Sequence, residues 1–265
     1  MIDILLLGPK SIYQRITILE GRNTWDIDGK LTKEGLIATG DYRTFITNPT
    51  IIDRYTDRYA FLQQARDEGK SLLTLEGYLY PETYMIDPTK DVIDQLVYLQ
   101  LDAFDERIRN IYKDQLKTLS SLLQSKGYNF RLSSYAALIL ASIIEKEERT
   151  DANKPTIASI FFNRLDAGMK LDADITLCYG LQQPYTSCTP TVIINNLTDA
   201  SNPYNTRAVS GLPPTPIASI HANSVSAVLS ASKTNLFFYL HDLEGKLHTS
   251  KDISEHNSNK SKYLP

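Results

Sequence analysis

The sequence predicts a helix-rich α+β protein built around one buried central helix. Residues 135–149 carry the main observation, because no Gly or Pro interrupts this largely apolar run and Ser133 and Ser134 can cap its start. Residues 89–116 repeat apolar side chains with the period of a long helix that buries one face. Residues 15–19 alternate polar and apolar side chains, which is typical of a short strand. Helices are therefore expected to dominate, with a few short strands beside them.

The composition is that of an ordinary globular protein. The chain has 265 residues, of which 42% are hydrophobic and 22% charged, and its formal net charge is −3. Nucleic-acid-binding proteins usually carry a basic face, so we expect no nucleic-acid partner. No apolar run reaches the roughly 18 residues that a membrane-spanning helix needs, and no signal peptide is visible. The first residues read as the last turns of a helix, so we expect the natural chain to extend further upstream.

The first 70 residues predict a small α+β module. The strand is followed by a helix that Thr24 can cap and that runs to about Lys33, where Gly35 stops it. A second helix is expected at 56–68, closed by Gly69. The rest of the chain, residues 71–265, is expected to form a second and larger domain around the central helix.

The larger domain is predicted to contain several further elements in a fixed order. They are a short apolar strand within 71–87, the long helix 89–116, a shorter helix to Lys126, a helix after Asp151 or Asn153 that ends before Gly168, a polar loop through Cys188, an extended Pro-rich segment 211–216, a helix 223–231, a hairpin of strands 236–241 and 246–249, and a last helix that carries His256. Cys178 and Cys188 permit one local disulfide in an oxidising compartment, and two free thiols are an equal alternative.

The central helix ends in three glutamates, of which Glu147 has the most unusual predicted position. At about 100° per residue, the apolar face formed by Ile139, Leu140, Ile143 and Ile144 continues onto Glu147. The remaining positions are Glu145 and Glu148 on the flanks of this face, and Ser142, Lys146 and Arg149 on the polar side.

An apolar wall around Glu147 would change its chemistry. Burial disfavours the ionised form of a carboxyl group and raises its pKa, which lets an enzyme keep an acid protonated near neutral pH. A glutamate at the end of a buried helix also commonly marks the point where the helix meets solvent. The rotation alone leaves both interpretations open.

Other chemistries find little support in the sequence. The spacing of His241, His248 and His256 fits no compact metal-binding motif, so no metal is expected. The chain has no nucleophile elbow, no phosphate-binding glycine loop and no mark of a pyridoxal site, so no cofactor is expected. Acid/base chemistry by one carboxyl group remains. Glycoside hydrolysis ordinarily uses two carboxyl groups, whereas a lytic transglycosylase can work with one, because the C6 hydroxyl of the substrate itself attacks the anomeric carbon.

Five motifs carry a family resemblance. They are, in order, Leu75-Glu-Gly-Tyr-Leu-Tyr-Pro-Glu-Thr-Tyr84, Ala141-Ser-Ile-Ile-Glu-Lys-Glu147, Phe162-Asn-Arg-Leu165, Tyr204-Asn-Thr206 and Gly211-Leu-Pro-Pro214. With these motifs the chain resembles the endolytic murein transglycosylases, the YceG-like proteins, from about residue 15 to residue 264. In that family the second Glu of the Glu-Lys-Glu motif is the catalytic acid/base, and it maps onto Glu147.

The resemblance implies a function and a location. The implied reaction is non-hydrolytic cleavage of the β-1,4 bond between N-acetylmuramic acid and N-acetylglucosamine in nascent peptidoglycan glycan strands, which leaves 1,6-anhydromuramyl ends. The resemblance also implies a LysM-like module, partial here, over residues 1–70, and a membrane anchor upstream of it. The site of action would be the periplasmic or extracytoplasmic face of the bacterial inner membrane, beside proteins of cell-wall synthesis. The residues proposed to line the sugar subsites and orient the acid are Glu76, Asn163, Asp174, Tyr204, Asn205 and Thr206.

The match to the family is incomplete, and two other functions stay open. Where the family has Asp-Pro-Thr this chain has Asp174-Ile-Thr176, and Thr215 replaces the last Gly of the family's Gly-Leu-Pro-Pro-Gly turn. These departures affect substrate contacts more than the class of reaction. The alternatives are a muramidase-type hydrolase of the same bond and a non-catalytic scaffold that only binds peptidoglycan.

Overall fold

The structure is a computed structural model that describes residues 13–67 and 72–264. It confirms the helix-rich α+β class. In chain order, the strands and α-helices of the described residues are β1 (Gln14–Thr17), α1 (Thr24–Lys33), α2 (Asp41–Thr47), α3 (Pro49–Arg58), α4 (Ala60–Asp67), β2 (Thr83–Ile86), α5 (Val92–Phe104), α6 (Asn110–Ser125), α7 (Ser134–Glu147), α8 (Lys154–Asp166), α9 (Asp174–Gly180), α10 (Pro190–Asn196), α11 (Ala222–Ser230), β3 (Phe238–His241), β4 (Leu247–Ser250) and α12 (Ile253–Tyr263). Within the described ranges, every helix is too short or too polar to span a lipid bilayer.

The strands β1 and β2 form an antiparallel pair. Gln14 lies opposite Ile86, and Thr17 lies opposite Thr83. The pair joins a segment before residue 70 to a segment after it, although the division of the chain at that point stays a prediction. Gly69 and the first residues of the chain, for which the sequence also gave expectations, lie outside the described residues.

The helix predicted at 56–68 is wrong in its extent, because α3 and α4 share this part of the chain. Tyr59 separates them with an extended backbone, and its hydroxyl donates a hydrogen bond of 2.6 Å to Asp102 Oδ1 on α5. Helix α3 starts well before residue 56, since the side chain of Asn48 caps it by accepting a bond of 3.0 Å from the N–H of Thr50. Pro49 occupies the first position of this helix, where its missing N–H leaves no helical hydrogen bond unmade.

The long helix is also longer than predicted. It begins at Val92 with Asp91 as its cap, and it continues beyond residue 116 through a π-helical turn, Asp105–Arg109, directly into α6. The shorter helix expected to follow it is therefore the end of α6. The apolar strand expected within 71–87 is β2, at the far end of that segment.

The segment after α9 contains more structure than the polar loop predicted there. Cys178 and Cys188 form a disulfide, with 5.7 Å between their Cα atoms, which decides the alternative that the sequence left open. Helix α10 follows, capped by Thr189, whose side chain accepts a bond from the N–H of Val192. This helix was not predicted.

Helix α7 is the buried central helix that the sequence predicts. The Oγ atom of Ser133 caps it by accepting a bond of 3.1 Å from the N–H of Ala136. Every side chain from Tyr135 to Glu145 is buried, because α6, α8, α9 and α11 pack around the helix. The expectation that Ser142 lies on a polar side is wrong, since its Oγ donates to the carbonyl of Ile139 inside the core.

The hairpin of β3 and β4 lies beside the last turn of α7, and α8 holds it there. Asn163 donates from Nδ2 to the carbonyl of Leu236 (2.8 Å), and Arg164 donates from Nε to the carbonyl of Phe237 (2.7 Å). Both accepting carbonyls belong to the segment that leads into β3. Two side chains of α8 therefore fix the position of the hairpin relative to the end of the central helix.

Candidate active site

The three glutamates at the end of α7 have three different environments. Glu145 is buried in an ion pair with Lys154, whose Nζ lies 3.1 Å from its Oε1. Its Oε2 accepts bonds from the N–H of His221 (3.0 Å) and from Ser224 Oγ (2.7 Å). A buried carboxylate with this many partners holds α7, α8 and α11 together and has no free oxygen to offer a substrate.

Glu148 follows the last turn of α7 and is also occupied. It is the C-cap residue, and its side chain is buried. Its Oε1 accepts a bond of 2.7 Å from the N–H of Thr150, and its Oε2 lies 3.1 Å from His241 Nε2 on β3. This carboxyl group ties the end of the helix to the hairpin.

Glu147 lines a cavity of about 380 Å³ beside the hairpin, which neither Glu145 nor Glu148 lines. The side chain is half-buried, so its carboxyl group is partly shielded from water and still reachable. Its Oε2 accepts a hydrogen bond of 2.8 Å from the hydroxyl of Tyr239 on β3. Within the described residues, no cation forms an ion pair with it.

The surroundings of Glu147 raise its pKa. Burial is the main cause, because water no longer stabilises the ionised form, and the charge of Asp174 adds to the rise. The hydrogen bond from Tyr239 is the largest opposing influence, and the charges of His241 and Arg164 also oppose the rise. The arrangement favours a carboxyl group that can hold a proton and can also exist as an anion, as a general acid/base must.

Charged side chains of both signs line the cavity. Its residues are Glu147, Arg164, Asp172, Asp174, Arg207, Phe238, Tyr239, Leu240, Ile253, His256, Lys260 and Leu264. Arg207 forms an ion pair with Asp174 at the start of α9. The site therefore combines the carboxyl group of Glu147, whose pKa is raised, with a second carboxylate and with cationic side chains. These groups can form hydrogen bonds to a polar substrate.

Two of the residues named from the sequence meet in this cavity, Glu147 and Asp174. Among the other five, Asn163 is buried beneath the hairpin, where its amide donates to Leu236 and Thr234. Glu76 is buried as well, and it accepts bonds from the N–H of Thr24 and from a tyrosine hydroxyl on α9. Neither side chain lines the cavity.

Tyr204, Asn205 and Thr206 lie in the loop that carries Arg207. The hydroxyl of Tyr204 is 2.9 Å from that of Thr215, and the amide of Asn205 donates to three backbone carbonyls of its own loop. The side chain of Thr206 accepts a bond of 3.1 Å from the N–H of Ala173, the residue before α9. These side chains fix loops beside the cavity, and they are not among its lining residues.

The sequence reasoning did not identify Tyr239, Arg164 or Arg207. A signal for Tyr239 was available, because side chains two apart in a strand share a face, and Tyr239 and His241 contact the adjacent glutamates Glu147 and Glu148. Arg164 is part of the Phe162-Asn-Arg-Leu165 motif, but the sequence assigned it no role. Nothing in the local sequence shows that Arg207 pairs with a residue more than thirty positions earlier.

The three histidines considered for metal binding lie in separate contacts. His248 contacts Asp242, and His256 stacks on the ring of Phe238, while His241 belongs to the contact with the C-cap glutamate described above. In the part of the chain that the structure describes, no group of three His, Cys, Asp or Glu side chains is arranged to hold a metal ion.

Comparison with known proteins agrees with the motifs and the fold. The endolytic murein transglycosylase of Bacillus subtilis (strain 168) is 26% identical in an alignment of 275 positions, which covers 100% of this chain and 69% of that protein. The protein of the same name from Streptococcus pneumoniae serotype 2 is 28% identical over 261 residues, 96% of this chain and 42% of its own length. This chain therefore spans less than half of the pneumococcal relative.

Structural comparison gives the same result. A crystal structure of a YceG-like protein from Listeria monocytogenes matches with a TM-score of 0.75 and 28% identity, over 92% of this chain and 75% of that one. The model of the YceG-like family matches residues 1–262. From the first residues to the last helix, then, the chain belongs to the YceG-like family.

Proposed function

We propose that this protein is an endolytic lytic transglycosylase that cleaves the β-1,4 bond between N-acetylmuramic acid and N-acetylglucosamine in peptidoglycan strands. The observation that carries the proposal is the carboxyl group of Glu147, which has a raised pKa and faces a polar cavity. The names of the Bacillus and Streptococcus relatives support the class of reaction and of substrate.

Glu147 acts first as an acid and then as a base. In its protonated form it donates the proton to the glycosidic oxygen as the bond to the leaving sugar breaks. The carboxylate that results then takes the proton from the C6 hydroxyl of the muramic acid residue as that oxygen bonds to C1. The product has a 1,6-anhydro ring, no water is consumed, and the acid is restored.

The other site residues divide into two roles. Asp174 and Arg207 line the cavity, and we assign them contacts with the sugar hydroxyl and N-acetyl groups. We assign a positioning role to Glu76, Asn163, Tyr204, Asn205 and Thr206. In particular, Thr206 holds the backbone just before Asp174, and the side chain of Asn205 accepts a bond of 3.1 Å from the N–H of Arg207.

The place of action follows from the substrate. Peptidoglycan lies outside the cytoplasmic membrane, and the disulfide between Cys178 and Cys188 suits an oxidising compartment of this kind. We extend the proposal to a membrane anchor in the natural full-length protein, to a LysM-like character of residues 1–70, and to contact with proteins of cell-wall synthesis.

A hydrolase is the second candidate, and one observation favours it. Asp174 is a second carboxylate in the same cavity, and its charge acts on Glu147. Hydrolysis of a glycosidic bond ordinarily uses such a pair, with the second carboxylate activating a water molecule or attacking the sugar. Its product would end in a reducing sugar and not in an anhydro ring.

Glu147→Gln tests the proposal. Glu106→Gln is the matched control, because Glu106 is an exposed glutamate that does not line the cavity. The amide has the shape of the carboxyl group but cannot transfer the proton. We expect the rate at which purified glycan strands are cut into shorter strands to fall by at least a thousandfold with an unchanged fold, whereas the control keeps full activity.

The mass of the wild-type products separates the candidate functions. Products one water lighter than their hydrolytic counterparts would support the transglycosylase, and products that contain the added water would support the hydrolase. Binding of strands without any release by the wild-type protein would identify a scaffold. Normal turnover by Glu147→Gln would exclude Glu147 as the acid.

A further inference from the structure

A second and larger cavity, of about 690 Å³, lies at the same end of α7. Neighbouring residues of an α-helix point about 100° apart, so Lys146 and Glu147 face different sides of the helix end, and Lys146 lines this cavity. Its other walls come from the loop after β1, the turn before α8, the segment around Tyr185 and the start of α11. The lining residues are Leu19, Glu20, Gly21, Arg22, Glu145, Lys146, Arg149, Asp151, Lys154, Tyr185, Thr186, His221 and Asn223.

Three cations of this cavity form no ion pair with an anion among the residues that the structure describes. Lys154 is occupied, because its Nζ contacts both Glu145 (3.1 Å) and Asp151 (2.8 Å). Arg22, Lys146 and Arg149, in contrast, form no ion pair and no side-chain hydrogen bond with any described residue. We call these three side chains the cation cluster.

The cation cluster is electrostatically unfavourable as it stands. Burial lowers the pKa of Lys146, and the charges of Arg22 and Arg149 lower it further, while the charges of Asp26 and Glu145 oppose them. The ammonium group lies 4.1 Å from the centre of the Tyr185 ring, a contact that compensates only part of its lost hydration. A bound anion would reduce the repulsion among the three cations and accept charge-assisted hydrogen bonds from them.

The same tyrosine lines the second cavity and is influenced by the charge of the proposed acid. Burial raises the pKa of Tyr185, and the charges of Glu76, Asp26 and Glu147 add to the rise. Tyr185 is therefore within electrostatic reach of the proposed acid and is also a wall of the second cavity. Lys146 directly precedes Glu147 in the last turn of α7, so a ligand whose glycosidic bond lies at Glu147 has its attached groups close to the helix end that carries the cation cluster.

We infer that the second cavity binds a carboxylate of the peptide stem carried by a muramic acid residue of the strand. The inference rests on the proposed function, because it assigns a further part of the same substrate. The other lining groups favour a peptide over a pyrophosphate. Glu20 and Asp151 would repel a group of two or more negative charges, whereas they can accept bonds from peptide N–H groups.

A binding measurement with two substrates tests the inference. The protein carries Glu147→Gln so that strands are not consumed, and the strands are used either with their stems or after an amidase has removed them. Adding Lys146→Gln and Arg149→Gln together should weaken binding of stem-bearing strands by roughly tenfold or more, since two charge-assisted bonds are lost. Binding of the stripped strands should not change.

Lys117→Gln is the matched control, because it removes one exposed positive charge on α6, outside the cavity. If the double substitution lowers the melting temperature, Arg22→Gln replaces it, since Arg22 is exposed and its side chain makes no contact that the fold needs. Equal weakening for both kinds of strand, or no weakening for either, would overturn the inference.

A parallel assay with active protein keeps the two proposals apart. If the wild-type protein does not cleave strands but binds them in a stem-dependent way, the proposed reaction is refuted and the anion site is supported. If the wild type and the Lys146 and Arg149 variants cleave strands equally well with and without stems, the anion site is refuted and the proposed reaction is supported.

Discussion

At the scale of single residues, the contact between Tyr239 and Glu147 balances two opposing influences on one carboxyl group. Burial favours the protonated form that donates the first proton, and the tyrosine hydroxyl favours the anion that accepts the second. Because the free acid must be protonated, activity should be lost as the pH rises through the raised pKa of Glu147.

Tyr239→Phe removes only the hydroxyl from this contact. Without its donor the anion of Glu147 is less stable, so its pKa rises further and the alkaline limb of the kcat/KM profile moves to higher pH. We expect the maximal rate to fall by about tenfold, because the ionised form of Glu147 that follows the first proton transfer loses one hydrogen bond. A pH–rate profile over both limbs measures the two effects.

A role for Tyr239 in packing alone gives a different result. It would lower the melting temperature and leave the alkaline limb in place. Tyr263→Phe is the control, because its ring stacks on His248 and lies away from the glutamates.

The sequence predicts part of this site and omits the rest. Glu147 could be identified from the sequence because the 100° rotation of an α-helix relates residues that are close together in the chain. The predicted exposure of Ser142 is wrong, because the neighbouring helices bury α7 along most of its length and leave it no polar face there. Tyr239 lies 92 residues from Glu147, so only the tertiary fold brings the two together.

At the scale of elements, two glycines let backbone segments pack closely against side chains of other loops. A Cβ atom added at Gly77 would lie 2.4 Å from Cγ of Pro216, which is closer than any real contact. A Cβ atom at Gly180 would lie 1.9 Å from Oδ1 of Asn202, whose amide donates to the carbonyl of Leu177. Gly77 thus allows its motif to approach the Pro-rich segment, and Gly180 allows the end of α9 to approach the loop before Tyr204.

Gly77→Ala should be strongly destabilising, by about 2–5 kcal/mol. Part of the cost is the positive φ of +89°, which an L side chain disfavours by about 1–2 kcal/mol, and the rest is the clash with Pro216. The free energy of unfolding in urea measures it. Gly245→Ala is the control, because its φ of +80° is similar and open space surrounds it. Equal losses in both variants would show that the clash contributes nothing.

Element prediction succeeded where caps and breakers agree with the pattern. The extent of α1, the start of α7 and the final hairpin follow from the sequence, since a capping residue or a turn Gly stands where the period changes. The cap of α1 is Asn23, however, and not Thr24 as predicted. Helices α3 and α10 were misjudged because each starts with a cap followed by Pro, Asn48-Pro and Thr189-Pro, and both pairs also begin turns.

At the scale of the whole molecule, a buried acid couples the stability of the fold to pH. Burial raises the pKa of Glu76 to about 8, from a usual value of 4.5, although Tyr179 and the N–H of Thr24 donate bonds to it. Between these two pH values the unfolded chain has lost the proton that the folded protein keeps. Folding then takes up a proton, so the stability contributed by Glu76 falls as the pH rises.

Glu76→Gln should remove this dependence, because the amide keeps one acceptor and one donor, as the protonated acid does. The wild-type protein should lose up to about 1.4 kcal/mol of unfolding free energy per pH unit relative to the variant, from about pH 5 to about pH 8. Urea unfolding at several pH values measures the difference. Glu106→Gln should follow the wild type, and parallel curves for Glu76→Gln would contradict the burial of an acid here.

The pairing of β1 with β2 has a consequence for how the protein can be divided. Beyond the strand pair, the N–H of Gly21 donates to the carbonyl of Ser219 and the N–H of Ser219 donates to the carbonyl of Arg22. One continuous apolar cluster also includes Ile16 and Ile144. Two separately expressed polypeptides, 1–70 and 71–265, would therefore be expected to recombine as complementing halves, and the longer one alone to aggregate through its unpaired strand edge.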